Sequence, residues 1–327
     1  MSIGHKAVVL LLALALALAS GAVTAQGYPT KPIKFIVGFP PGGATDVIGR
    51  MFAQRLAERI GQPVTVENKP GANGIIGAEY VVKAAPDGYT LLIGASGSMA
   101  YNVGLYYGRL PYDPLKDLSP IIVFASNPLV IAVHPSVPAS SIKELIALAK
   151  AQPGKLFYAS GTTAFQVSVE LFKMQAGANL VHVPYKGSSP SVAATVAGDV
   201  QLVLVDIPAS LAQIRAGKIR ALAVTGSSRV AAMPDVPTVA ESGMPNYEVI
   251  LWTGLFAPAG TPAAIIDKLH SELSVVLKED SLKERLGALG AFDTTLGSLS
   301  PAQFRAMHRA DVNKWTKVAR DLNIRAD

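Results

Sequence analysis

Two periodicities alternate along most of the chain. Ile33 to Phe39 form a β-branched, apolar run, the pattern of a strand buried on both faces. The run breaks at Pro40-Pro41-Gly42-Gly43. A 3.6-residue period follows, with Ile48, Met51, Phe52, Leu56 and Ile60 on one helical face and Gly61 at its end. Residues 64–68 read as a second strand, 74–85 as a second helix, and 86–96 as a turn and a third strand. This βαβαβ order predicts a parallel sheet with right-handed crossovers.

A second set begins after the Pro-rich stretch 111–128. Strand-like segments at 129–135, 154–160, 180–185, 199–206 and 219–226 alternate with helix-like segments at 141–151, 163–177, 192–198 and 209–217. The helix at 141 opens with Ser141 followed by Glu144, a capping box. An apolar strand at 250–258 and helices at 262–279, 281–289 and 301–322 close the chain. Those late helices need a sheet to pack on, and a return to the first domain supplies one. The expected organisation is therefore a discontinuous first lobe, 28–126 plus 227–327, and an inserted second lobe, 127–226. The crossings fall near 124–128 and 226–250. Two α/β lobes joined by two crossing segments close on a ligand like a hinge. The ligand then sits outside the carboxyl ends of the strands.

Two strand–helix junctions at that position carry candidate chemistry. In "PPGGATD" the glycines permit close approach, and Gly43, Ala44, Thr45 and Asp46 open a helix whose first amides are free to meet an anion. Asp46, a negative group in the first turn, suits capping better than anion contact. In "YASGTTAF", Ser160, Gly161, Thr162 and Thr163 have the same character in the second lobe. Each junction also reads as a plain tight turn. No Walker A loop and no GxGxxG motif follows either strand.

Composition narrows the class. The chain has 327 residues, half of them apolar and 16% charged, with no cysteine. That excludes disulfides, thiol nucleophiles and cysteine-based metal sites. Lys6, the apolar run 8–19 and the small residues Val23-Thr24-Ala25 read as an export signal cleaved after Ala25. The net charge of +6 is modest and no basic run interleaves with aromatics, so nucleic-acid binding is not expected. The mature chain has four histidines, His134, His182, His270 and His308, none at metal-ligand spacing. "GASGS" at 94–98 misses the nucleophile elbow by its last glycine. No catalytic residue, metal or cofactor is assigned. Trp252 and Tyr247 are expected to pack the core or hinge.

The stretches "YPTKPIKFIVGFPPGGATDVIGR", "VENKPGANGIIGAE", "APDGYTLLIGASG", "LPYDPLKDLSPI", "VHVPYKGSSPS", "MPDVPTVAESG" and "WTGLFAPAGTP" carry a resemblance. Over almost its whole mature length the chain resembles the Bug-type (TctC-like) periplasmic solute-binding proteins of tripartite tricarboxylate transporters. That resemblance implies a Venus-flytrap fold, each lobe a mostly parallel sheet flanked by helices. It also implies a monomer that captures a small carboxylated ligand in the periplasm and delivers it to integral-membrane subunits. The carboxylate would be held by the loops at Gly43–Asp46 and Ser160–Thr163, with Phe39, Ser96 and Asp206 also facing the ligand. Phe165 and Gln166 stand where the family often has Ser-His, and the Phe165 ring suggests an aromatic or longer aliphatic ligand. The alternatives are a ligand-sensing receptor of the same fold and a hydrolase using Ser96 or Ser160.

Overall fold

The computed structural model describes residues 27–288 and 294–324. The export signal and its cleavage point lie outside the described residues. The first lobe opens with β1 (Ile33–Val37), α1 (Ala44–Ile60), β2 (Val64–Asn68), α2 (Ile75–Val82) and β3 (Thr90–Ala95). These strands pair in parallel, β2 and β3 flanking β1, as the βαβαβ pattern predicts. Phe35 and Val37 of β1 pack into one apolar cluster with α1, and Ile36 packs into another with α2. A strand covered on both faces needs apolar residues at every position, which is why β1 shows no alternation.

A π-helical turn, Gly97–Tyr101, runs into the short helix α3 (Asn102–Leu105) and on to β4 (Leu118–Val133). The sequence pattern starts a strand only at Leu129, whereas β4 spans 16 residues without a break. Pro120 and Pro128 hide its first part. They are tolerated because this stretch of β4 pairs only with β9 (Ile250–Pro258), as an edge strand, with irregular register between Pro120 and Ile122. From Leu129 onward the same strand changes sheet and pairs with β7 (Leu202–Asp206) and β8 (Arg220–Val224). β9, antiparallel to β3, is the first lobe's other link to β4.

The second lobe adds α4 (Ile142–Ala151), β5 (Leu156–Ser160), α5 (Thr163–Ala176), β6 (Leu180–Pro184), α6 (Ser188–Ala197) and α7 (Ile207–Arg215). Here β6, β5 and β7 are parallel, mirroring the first lobe. Residues 225–249 stay with this lobe: Val239 N donates to the Val224 carbonyl and Val224 N to the Pro237 carbonyl, and Val230, Met233 and Tyr247 join its core. Three helices end the chain, α8 (Ala263–Val276), α9 (Asp280–Ala288) and α10 (Pro301–Asp321). α8 and α9 pack on the α1 face of the first sheet.

α10 straps both lobes. Phe304 joins the first-lobe cluster around Trp252 and Phe256, while Val312, Trp315 and Ala319 belong to the second-lobe cluster. Trp315 stacks on Tyr101 with centroids 4.0 Å apart. The Trp252 indole N–H donates to Asp311 at 2.6 Å. His308 is buried, and its Nε2 lies 2.9 Å from the Met99 carbonyl. A carbonyl only accepts, so that nitrogen carries the proton.

Burial above all, with Arg305 adding to it, pushes the His308 imidazole down to about 4. A depressed histidine contributes stability in full above its unfolded value near 6.5, and that contribution is lost as pH falls toward 4. Between pH 7 and 5 the expected loss is about 2 kcal/mol. Denaturant unfolding of the wild type and His308→Gln at both pH values checks this. The glutamine amide keeps a donor for Met99, and the variant is expected to lack most of the acid-side loss. Equal losses in the two proteins would refute the assignment.

Candidate functional site

The site grows from helix ends that lack their own caps. α1 begins at the N-cap Gly43, which offers no side-chain acceptor, and Gly42 before it adopts φ 90°. The Asp46 N–H already bonds the Gly43 carbonyl, so the amides of Ala44 and Thr45 form the open head. Asp46 itself is turned away to hold the loop. Its carboxylate accepts from Gly42 N (3.1 Å), Arg50 Nε (3.0 Å) and Asn68 Nδ2 (2.9 Å). Asn68 Nδ2 also donates to the Phe39 carbonyl. Burial alone would push the Asp46 carboxyl up, but the bonds from Arg50, Asn68 and Gly42 together hold it below its ordinary value.

α6 has a second open head. Its N-cap is Gly187 at φ 115°, again without a side-chain cap, followed by Ser188, Ser189 and Pro190. The two heads face each other across the lobes. A Cβ on Gly187 would lie 3.4 Å from Pro40, and one on Gly42 would lie 3.9 Å from the Ser189 hydroxyl. Gly161 braces α6 from behind, where a Cβ would come within 2.2 Å of the Gly187 carbonyl carbon. No side chain fits between those two backbones.

The head of α5, by contrast, is closed by its own N-cap, because the Thr162 hydroxyl accepts from Phe165 N. Thr163 Oγ1 donates to Asn102 Oδ1 at 2.7 Å, a buried bond tying α5 to α3. Asn102 Nδ2 in turn donates to the Asn73 carbonyl. Ser160 Oγ lies 2.6 Å from His182 Nε2. Ser96 is fully buried and accepts from the Trp252 backbone N–H.

Of the residues expected at the site, Phe39, Gly43, Ala44, Thr45, Thr162, Phe165 and Asp206 line one cleft between the lobes. Asp46, Ser96, Ser160, Gly161 and Thr163 do not line it and stand behind the wall they shape. The cleft also takes Gly187 to Pro190 from the α6 head, and Asn127, Trp252 and Thr253 from the crossing strands. Those were not nominated from sequence. "KGSSP" does carry a signal, a glycine and two hydroxyls between a strand and a helix, but it resembles any tight turn. Trp252, expected as core or hinge packing, is 4% exposed and serves the hinge and the cleft wall together.

Among the described residues, Asp206 is the only ionisable side chain on this wall, and no Lys, Arg or His joins it. It caps α7 through Ala209 N at 3.3 Å and accepts the Ser188 hydroxyl in a short bond. Burial pushes its carboxyl up, against the opposing pull of Ser188, of the Ala209 N–H and of the Ala44 N–H from the other lobe. The cavity itself has a volume of about 90 Å³, with further space at its mouth open to solvent. Its remaining walls, Phe39, Phe165, Leu251 and Trp252, are apolar. Such a site can hold an anionic group at the helix heads and an apolar body beside it.

Comparison with known proteins agrees with this fold. The family model described as "Tripartite tricarboxylate transporter family receptor" matches residues 48–324. Protein BugT of Bordetella pertussis is 38% identical over 306 residues, covering 93% of each chain. Among solved structures, one described as a periplasmic transporter is 41% identical with a TM-score of 0.87, covering 92% of this chain and 100% of that one. R. palustris Rpa4515, solved with adipate, is 37% identical with a TM-score of 0.86, covering 91% and 99%. With the match running from within α1 to the end of α10, and so through both lobes, this chain belongs to the tripartite tricarboxylate transporter (TctC) receptor family.

Proposed function

We propose that the protein is an exported solute receptor that captures a small organic carboxylate between its lobes and delivers it to the membrane subunits of a transporter. The observation that carries this reading is the pair of uncapped helix heads, α1 and α6, facing each other across a cleft without a basic side chain. Each charge-assisted N–H bond to a carboxylate contributes about 1.5–3 kcal/mol. A few of these with apolar contact reach the roughly 8 kcal/mol of micromolar affinity. Adipate bound to the R. palustris relative supports the same ligand class. The 41%-identical periplasmic structure supports a periplasmic location after cleavage behind Ala25.

The moving unit in this reading runs from about Pro128 to Val249, past the boundary at 226 that the sequence pattern suggests, because 225–249 pack on the second lobe. Hydrolysis is disfavoured by the two serines once considered for it. Neither Ser96 nor Ser160 faces the cleft, and both hydroxyls are engaged.

Titration calorimetry against adipate, malate, benzoate and the neutral adipamide tests the proposal. At least one acid is expected to bind at micromolar level, and the diamide is not. Binding of the diamide with no binding of any acid would sink the reading. A pair of variants separates wall from scaffold. Thr45→Ala is expected to weaken acid binding about tenfold, or about 1.4 kcal/mol, with little change in unfolding. Thr163→Ala leaves Asn102 without its partner and is expected to lose about 1–3 kcal/mol of stability. The reverse pattern in the two readouts would misplace the anion.

A further inference from the structure

Asp206 is an unusual wall for a cleft that takes anions. It is 4% exposed, sits at the root of α7, and has its two oxygens turned to Ser188 at the α6 head and Ala209 in α7. It also draws on the Ala44 N–H of the α1 head. A ligand carboxylate held between the two heads must share those donors with it. Two carboxylates on shared donors repel strongly unless a proton lies between them.

No neighbouring cation relieves that repulsion. On α7 the nearest basic group is Arg215, at the far end of the helix. On α6 there is none, Lys186 preceding the helix and Asp199 following it. β7 and the facing part of β4 are apolar, with Leu129 opposite Asp206 in register. α1 offers Arg50, which is bound to Asp46, and Arg55, Glu58 and Arg59 toward its other end. α5 offers Lys173, which is paired with Glu170. His182 on β6 lies behind Ser160.

Resting on the carboxylate reading above, we propose that Asp206 is a specificity-determining residue that makes capture proton-linked, the ligand carboxylate entering the cleft with one proton shared between it and Asp206. The step balances simply. A solvent proton forms one O–H bond on an Asp206 oxygen, and that hydroxyl donates to the ligand carboxylate. The proton comes from hydronium or a buffer acid, whose own O–H or N–H bond breaks as the Asp206 O–H forms, and no oxidation state changes. A neutral Asp206 donates to a ligand oxygen, and the bond is stronger to an ionised carboxylate than to the carbonyl of an amide, so the same proton favours acids over their amides.

Calorimetry with adipate and benzoate tests this between pH about 6 and 8, where both acids are ionised. Each pH is run in two buffers of different ionisation enthalpy. The dissociation constant of the wild type is expected to rise by up to tenfold per pH unit, with uptake of up to one proton per ligand. Asp206→Asn keeps one oxygen for the α7 cap and turns its amide NH2 to the Ser188 hydroxyl, which can accept as well as donate. It is expected to bind with a flat pH profile, without proton uptake, and more tightly than the wild type at the alkaline end. A slope arising from His182 would persist in that variant. Binding without proton uptake in the wild type, or the same slope in Asp206→Asn, overturns the proposal. If the variant fails to fold, the wild-type buffer pair decides alone. Absence of binding by both acids at every pH sinks the carboxylate reading and this proposal with it.

Discussion

β4 belongs to both lobes at once, and most of the molecule's behaviour descends from that. Its first eleven residues are paired to β9 in one sheet and its last five to β7 and β8 in the other. The lobes are therefore joined through a continuous hydrogen-bonded ladder and not through a slack linker. Any rotation has to be absorbed where the partners change, around Asn127 to Leu129, and at the matching point near Val249. α10 spans the same junction from behind, with Phe304 in one core and Trp315 in the other. The floor of the cleft is made of these same strands through Asn127, Trp252 and Thr253. Whatever fills the cleft rests directly on the hinge, so occupancy and lobe angle are mechanically the same variable.

In the carboxylate reading, the cleft meets negative charge with helix-head amides and hydroxyls and without a basic side chain on its described wall. A lysine or arginine would hold an anion firmly, but it would also carry a large desolvation cost when the empty cleft closes. Two helix heads supply directed N–H donors whose cost is built into the fold, since every helix leaves its first amides unbonded. The α5 and α7 heads are closed by Thr162 and Asp206, whereas those of α1 and α6 begin at glycines and carry no side-chain cap of their own. That difference in capping, more than the count of hydroxyls, distinguishes the walls that can receive an anion from those that only support them.

Much of the first lobe was legible because its information is local. The β1 run, the Pro-Pro-Gly-Gly break and the amphipathic face of α1 are all contiguous, and the fold follows them. β4 was only half legible, since Pro120 and Pro128 look like strand breakers unless one knows that their stretch is an edge. At the site, Gly43 to Thr45 and Thr162 follow from strand–helix junctions, Phe39, Phe165 and Asp206 come from the family resemblance, and all of them line the cleft. Thr163 and Ser160 look identical to wall residues in sequence. What separates them is the partner each hydroxyl finds, Asn102 and His182, and both partners are distant in the chain. The α6 head was missed for the complementary reason. Its openness depends on Gly187 lying against Pro40 of the other lobe, a contact that no local pattern encodes.

The contact between Gly161 and Gly187 has one more consequence. Two loops that meet backbone to backbone move as a single jaw, and neither can accept a side chain without prying the other away. The anion-facing geometry is thereby insulated from drift, because the atoms that define it belong to the main chain. Phe39 and Phe165 meet the same cleft through side chains and not through main chain, and are free of that backbone contact. A lineage built on this frame could exchange the body of its ligand through those few side chains while its grip on the acid group stayed unaltered. The frame would then be inherited, and the ligand negotiable.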